Sequence, residues 1–311
     1  ENDMFSGSDR HYTNGIRLSW LSPSGETFKP LAMARDVLES IALDDDPGHE
    51  NKSVRLGFAV GQDMYTPEDR YSRTLISNDR PYGAWLYGAV SLHTITNPDS
   101  WIKTLESVEL DIGVVGPAAL GEQSQDVIHD ARLIDNFEGW DNQIHNEPGI
   151  ALLYERKWRL HKPQDLWGFG EFDAIPHAGF SLGNVSTHAN VGGAVRWGLN
   201  LPNNFGPPSL IQGGVPYLSW EQGDITDCSL FLFATAQGKY VARDIFLDGN
   251  TFRDSHSVSK RPWVADVSLG ISLLAGPVNI SYSSALRTRE FDGQDHNSRY
   301  GSLTISMQNP F

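Results

Sequence analysis

The sequence predicts an all-β fold: a twelve-stranded antiparallel outer-membrane β-barrel with a short extracellular loop helix and a periplasmic helix. Three observations carry that expectation. First, the chain closes on a strand-like run in which Leu303, Ile305 and Met307 alternate with Ser302, Thr304, Ser306 and Gln308, and it stops on the aromatic Phe311. Period two gives one apolar and one polar face. Bacterial outer-membrane barrels commonly end on an aromatic residue, whereas the terminus of a soluble chain usually frays. Second, the 311 residues have a mean hydropathy of −0.36, and no run of ~18 apolar residues offers a membrane helix. A porin-type barrel hides its span in short alternating segments with a much weaker signal. Third, such segments recur along the whole chain, separated by turn chemistry.

Taken in order, residues 1–5 read as the end of a first strand whose beginning is missing or lies before residue 1. In 12–20, Tyr12, Asn14, Ile16, Leu18 and Trp20 share one face, with Thr13, Gly15, Arg17 and Ser19 on the other. Val54, Leu56, Phe58 and Val60 alternate with Arg55, Gly57 and Ala59. Further strand-like runs are 82–95, 105–115, 149–160, 169–182, 189–199 and 229–245. The clearest alternation is Trp263, Ala265, Val267, Leu269, Ile271 and Leu273 against Asp266, Ser268, Gly270 and Ser272. Gly276-Pro277 then turns the chain into 280–291, and the terminal strand follows. Eleven strands start at or after Tyr12, and the N-terminal segment makes an even count, as single-chain barrels require.

Four connections are long: 22–53, 67–81, 117–148 and 202–227. With both termini facing the periplasm, strand parity puts 67–81 and 117–148 outside and the other two inside. Phe28, Leu31, Leu38 and Ile41 fall at helical spacing in the first periplasmic connection. No linker, low-complexity stretch or repeat beyond the hairpins divides residues 1–311, so one domain is expected. The net charge of −15 argues against nucleic acid as a partner. The single cysteine, Cys228, has no partner for an intrachain disulfide. Glu1 begins without a basic and apolar leader, so the chain reads as a mature or trimmed form.

One segment breaks the strand pattern. Between Gly121 and Gly149, Glu122, Gln125, His129 and Arg132 recur along one helical face, followed by Asp135, Asn136, Phe137, Glu138, Gly139, Trp140, Asp141, Asn142 and Gln143. Histidine is the usual general base near neutral pH, and a carboxylate can orient it. His129 and Asp135 are too far apart in sequence for one straight helix to pair them, so they meet only if the helix ends or bends between them. Taken alone, the segment also reads as a solvated loop helix. The remaining histidines, among them His11, His145, His161, His177, His188, His256 and His296, show no ligand spacing. Surface or girdle positions are their default. Asn2 and Asp3 are hard oxygen donors, and they also suit a plain turn at a strand end.

Asn2-Asp3, His11-Tyr12-Thr13-Asn14-Gly15, Gly113-Val114-Val115-Gly116-Pro117 and Gln125…His129…Gly139-Trp140 occur in this order. Together they resemble the outer-membrane lipid A 3′-O-deacylase family over most of the chain. The resemblance implies a twelve-stranded barrel with its active site near the outer leaflet, between the barrel wall and a loop helix. It also implies Ca²⁺-dependent hydrolysis of the 3′-acyloxyacyl ester of lipid A, by a mechanism like that of secreted phospholipase A2. Carried over, the general base falls on His129, the N-terminal polar pair on Asn2 and Asp3, the strand threonine on Thr13 and the helix glutamine on Gln125. The family glutamate falls on Asp135, a shorter side chain. Asn2 and Asp3 are then the metal-site residues, and catalytic roles fall to Asn2, Thr13, Gln125, His129 and Asp135. The family's active-site lysine has no match, and Arg70, Arg73 and Arg80 stand as lipid-phosphate contacts instead.

The expected partners are lipid A or lipopolysaccharide as substrate and outer-membrane lipid as solvent, with the protein a monomer. The alternatives are an outer-membrane phospholipase using the same ester chemistry, and a non-enzymatic pore or structural barrel. The lumen discriminates. A pore needs a water-filled interior, whereas Arg17, Arg55, Asp63, Glu109, Asp111, Asp266, Arg287 and Arg289 plug it if they point inward.

Overall fold

The computed structural model describes residues 1–2, 11–22, 52–133, 135–165, 168–206 and 228–307. Its strands are β1 (His11–Leu21), β2 (Lys52–Thr66), β3 (Gly83–Thr96), β4 (Lys103–Val115), β5 (Glu147–Arg159), the two-residue β6 (Gln164–Asp165), β7 (Glu171–Gly183), β8 (Ser186–Leu199), β9 (Cys228–Asp244), β10 (Trp263–Ala275), β11 (Val278–Arg287) and β12 (Ser298–Met307). Each long strand pairs antiparallel with the next in sequence, and β6 adds to the lower end of β7. The curled sheet is closed by the N-terminal residues. Asn2 N–H donates to Gly301 O at 2.9 Å, Gly301 N–H returns to Asn2 O at 2.8 Å, and Gly15 N–H reaches Glu1 O at 3.0 Å. Asn2 therefore bridges β1 and β12 where a first strand was expected. Residues 3–5 of that expectation, the helix expected over Phe28–Ile41 and the last four residues lie outside the described residues.

Burial is inverted relative to a soluble sheet. On β1, Ile16, Leu18 and Trp20 are exposed, while Gly15 is buried. On β10, Val267, Leu269, Ile271 and Leu273 are exposed, while Asp266, Ser268 and Ser272 are buried. The period is the one read from the sequence, and hydrocarbon is the solvent that makes an apolar exterior stable.

The lumen is packed with paired charge. Arg17 holds Glu109 through two hydrogen bonds of 3.0 and 2.7 Å. Asp266 accepts from Arg287 at 2.6 Å and from Lys239 at 2.9 Å. Asp63 and Asp111 are buried as well, and Arg55 is half-buried. Arg289 departs from the expectation: β11 stops at Arg287, and Arg289 is exposed in the following loop. His177 and His188, expected at surface or girdle positions, also point inward; His177 pairs with Gln237 at 3.1 Å and His188 with Ser186 at 2.9 Å. Polar strand residues had two directions available, and lipid outside forces them in. At the periplasmic end, residues 201–206 turn into the mouth. There Arg159 donates to Pro202 O and Asn204 O, and Phe205 packs on Ile95, Leu105 and Ile175.

The opposite end carries the long outer connections. A fifth long connection joins the expected four, because β9 and β10 are separated by 245–262. It opens with a short helix, α2 (Ile245–Asp248), whose Ile245, Phe246 and Leu247 are buried over the lumen. The other two outer elements are a strap, 67–82, and the helix α1 (Gly121–Arg132).

Candidate active site

Glycines place α1. Gly116 sits at φ +95, and a Cβ there would lie 2.6 Å from the His145 carbonyl, so only glycine lets β4 turn over the rim. Its N–H is held by Ala84 O at 3.0 Å. A turn of 3-10 helix, Pro117–Ala119, leads into α1. At Gly121 a Cβ would stand 2.6 Å from the Ala84 Cβ, so the first turn of α1 rests directly on β3. Ile128 packs below it against Met64, Ala84 and Ala119.

The buried face of α1 is Gly121, Gln125 and His129, with Glu122 exposed beside it. This narrows the face expected from the sequence. The helix stops at Leu133, whose φ of 58 and ψ of 43 are left-handed and whose N–H caps Asp130 O and His129 O. That reversal brings the chain back under the helix. His129, 1% exposed, then donates from Nδ1 to the main-chain carbonyl of Asp135 at 2.9 Å. A carbonyl oxygen only accepts, so Nδ1 carries a hydrogen and Nε2 is the ring nitrogen able to accept a proton. The expected pairing of His129 with Asp135 therefore exists, but through the backbone. The Asp135 carboxylate is exposed and accepts from the Tyr71 hydroxyl at 3.0 Å. A short side chain just past the cap reaches outward, while its own carbonyl already faces the ring.

Gln125 is equally buried, and its Oε1 accepts from the Trp140 indole N–H at 2.7 Å. An indole is a donor only, which fixes the amide orientation. The Gln125 NH₂ is left buried without a hydrogen-bond partner among the described residues. Tyr82, Phe137 and Trp140 wall this pair in, with the Phe137 ring 5.8 Å from the His129 ring. Burial pushes the Tyr82 hydroxyl well above its usual pKa.

Asn2 and Thr13 form a separate group at the outer end of β1 and β2. The β1–β2 register slips at Thr13, a bulge that turns its hydroxyl onto that of Thr66 at 2.7 Å. Asn2 bridges the neighbouring Asn14, and the Asn14 Nδ2 is buried without a hydrogen-bond partner among the described residues. The two groups share β2, since Thr66 serves one and Met64 supports the other. Asp3 lies outside the described residues. These donors are carboxamide and hydroxyl oxygens, the hard type that suits Ca²⁺. No cluster of three or more His, Cys, Asp or Glu suited to a metal exists among the described residues.

The strap corrects the phosphate-contact expectation. Arg80 is 0% exposed and lies over the Tyr65 ring at 4.4 Å, with Glu290 at 3.5 Å, so it faces the lumen rather than lipid. Arg73 pairs with Glu138 at 2.6 Å, and Arg70 lies 5.5 Å from the Phe137 ring centre. Sequence reading missed Tyr71 and Tyr82. Nothing in spacing marks them, because they reach the site from another loop. Phe137 and Trp140 at least stood inside the segment that broke the strand pattern.

The family model described as "Outer membrane protein LpxR" matches residues 1–309. Comparison with curated protein sequences finds no match. Among solved structures, LpxR from Salmonella typhimurium superposes with a TM-score of 0.74 at 20% sequence identity, over 98% of this chain and 97% of that one. At that identity the superposition speaks for the fold: the same nearly closed twelve-strand barrel. The family match spans nearly the whole sequence, and the chain therefore belongs to the LpxR family of outer-membrane proteins.

Proposed function

We propose that this protein is a lipid A 3′-O-deacylase, hydrolysing the 3′-acyloxyacyl ester with His129 as general base. The observation that supports this most is the His129 ring, held at Nδ1 by a carbonyl with Gln125 one turn away on the same helix face. Such an arrangement suits water activation. His129 Nε2 takes a proton from water as the water oxygen attacks the ester carbonyl. Gln125, its amide fixed by Trp140, offers an N–H to the oxyanion that forms. Collapse breaks the bond to the alkoxy oxygen, and the proton on Nε2 passes to that oxygen, releasing acid and alcohol. No serine intermediate is needed. Ca²⁺, bound through Asn2 and Asp3, would supply positive charge near the developing oxyanion. Thr13 holds the Asn2–Asn14 corner through its bond to Thr66.

The packed lumen disfavours the pore reading, because Arg17–Glu109 and the Asp266 cluster occupy the space a channel needs. A glycerophospholipid presents the same ester chemistry, so the assay needs both substrates. Lipid A from cells with and without the protein should differ by one 3′-acyloxyacyl group in mass spectra. Excess chelator should stop the reaction, and added Ca²⁺ should restore it. Unchanged lipid A with fatty acid released from phospholipid would move the assignment to a phospholipase. Full activity in chelator would reject the metal.

A further inference from the structure

We infer that Tyr71, on the 67–82 strap, is a positioning residue that acts on the general base through Asp135; this rests on His129 being that base. The turn that returns the chain to His129 passes through Leu133, an exposed left-handed residue that caps the helix. The strap holds the chain just beyond it. The Tyr71 hydroxyl donates to Asp135 Oδ2 at 3.0 Å, Glu138 N–H donates to Arg70 O at 2.8 Å, and Asn142 Nδ2 donates to Arg73 O at 3.0 Å. The segment that carries the Asp135 carbonyl is thus held along its length from one side.

The strap itself is fixed. Asp79 Oδ2 accepts Glu68 N–H at 2.8 Å, tying its two ends together. The His256 ring donates to Asp79 O at 2.7 Å from the β9–β10 connection, and Asp69 Oδ1 accepts Tyr71 N–H at 3.0 Å. Tyr71 is 61% exposed, yet its hydroxyl meets the side chain of the residue whose carbonyl holds His129. The hydrogen bond to Asp135 raises the phenol pKa, so the hydroxyl stays a donor at neutral pH. A single chain of contacts results: Tyr71 holds the Asp135 side chain, the Asp135 backbone holds Nδ1, and Nδ1 sets the direction of Nε2.

The test is steady-state kinetics of the purified full chain on lipid A in mixed detergent micelles. The variants are H129A, Y71F, D135A, D135N and Y71F/D135A, with folding checked by heat-modifiable gel mobility. Loss of one such hydrogen bond should lower kcat by about threefold to tenfold in Y71F and in D135A, with KM unchanged. D135N keeps an acceptor oxygen for Tyr71 and should recover part of the kcat that D135A loses. The double variant should be no slower than the slower single variant, because both break one chain of contacts. A parental kcat in Y71F, a change confined to KM, or multiplicative losses in the double variant would each overturn the inference. H129A separates the two claims. If H129A retains activity, the base assignment itself falls, whereas an inactive H129A beside a fully active Y71F rejects only the role of Tyr71.

Discussion

The two mouths of this barrel both carry charged side chains, and they are built on opposite terms. At the periplasmic end, Asp173 accepts from Arg196 at 2.8 and 2.5 Å and from Arg159 at 2.9 Å, with all three side chains sealed from solvent. Further donors of the two guanidinium groups go to Pro202 and Asn204. At the outer end, Arg73–Glu138 and Tyr71–Asp135 lie in the open. Buried ions are tolerable only when fully paired, so the lower cluster locks one geometry. Exposed pairs are screened and individually weak, so the upper cluster can tune a loop without committing the fold to it. The proposed chemistry sits between these extremes, where His129 and Gln125 are buried, His129 held by the Asp135 carbonyl and Gln125 by the Trp140 indole.

The comparison breaks most sharply at His129. His129→Ala should reduce ester hydrolysis by ~10²–10⁴-fold, the usual share of a general base, and leave the barrel folded. Mass spectrometry of lipid A together with gel mobility reads both; parental deacylation would remove the outer end's claim to the chemistry. Asp173→Ala is the mirror experiment. Two guanidinium groups lose their buried partner, at about 3–5 kcal/mol, while kcat of the folded fraction stays parental. Reversible urea unfolding in lipid vesicles measures it, and an unchanged midpoint would mean that water replaces the carboxylate.

Trp140→Phe keeps the aromatic wall and removes the donor that orients Gln125. The buried amide oxygen left without a partner should reduce kcat by about thirtyfold, the middle of the ~1–3 kcal/mol range for such a loss. Wild-type kcat in that variant would free Gln125 from the proposed oxyanion role. The smallest effect belongs to Glu138→Ala. An exposed pair contributes at most ~1 kcal/mol, so stability should hardly move. A large destabilisation there would show that the outer end is as tightly locked as the inner one.

The wall of the barrel was largely legible in the sequence. Its alternation marks each strand, and the same alternation assigns Leu269 to lipid and Asp266 to the lumen. The errors fall where strands end. The 280–291 run was read through to Phe291, although pairing stops at Arg287 and Thr288, Arg289 and Glu290 no longer alternate. The site was half legible. The spacing of Gln125 and His129 names a helix face, and the sequence-level condition for His129 to meet Asp135, a helix that ends between them, is met at Leu133.

What the sequence determined by itself is what repeats: period-two patterning gives strands, their number gives a barrel, and a polar interruption gives a loop helix. Those signals are local, carried by residues a few positions apart. Only the tertiary structure decided which atom of Asp135 faces His129, that Arg80 turns into the lumen, and that Tyr71 from another loop holds the turn. Each of these depends on groups distant in sequence being brought within ~3–5 Å, a range that hydrogen bonds and cation–π contacts require and that no spacing along the chain encodes.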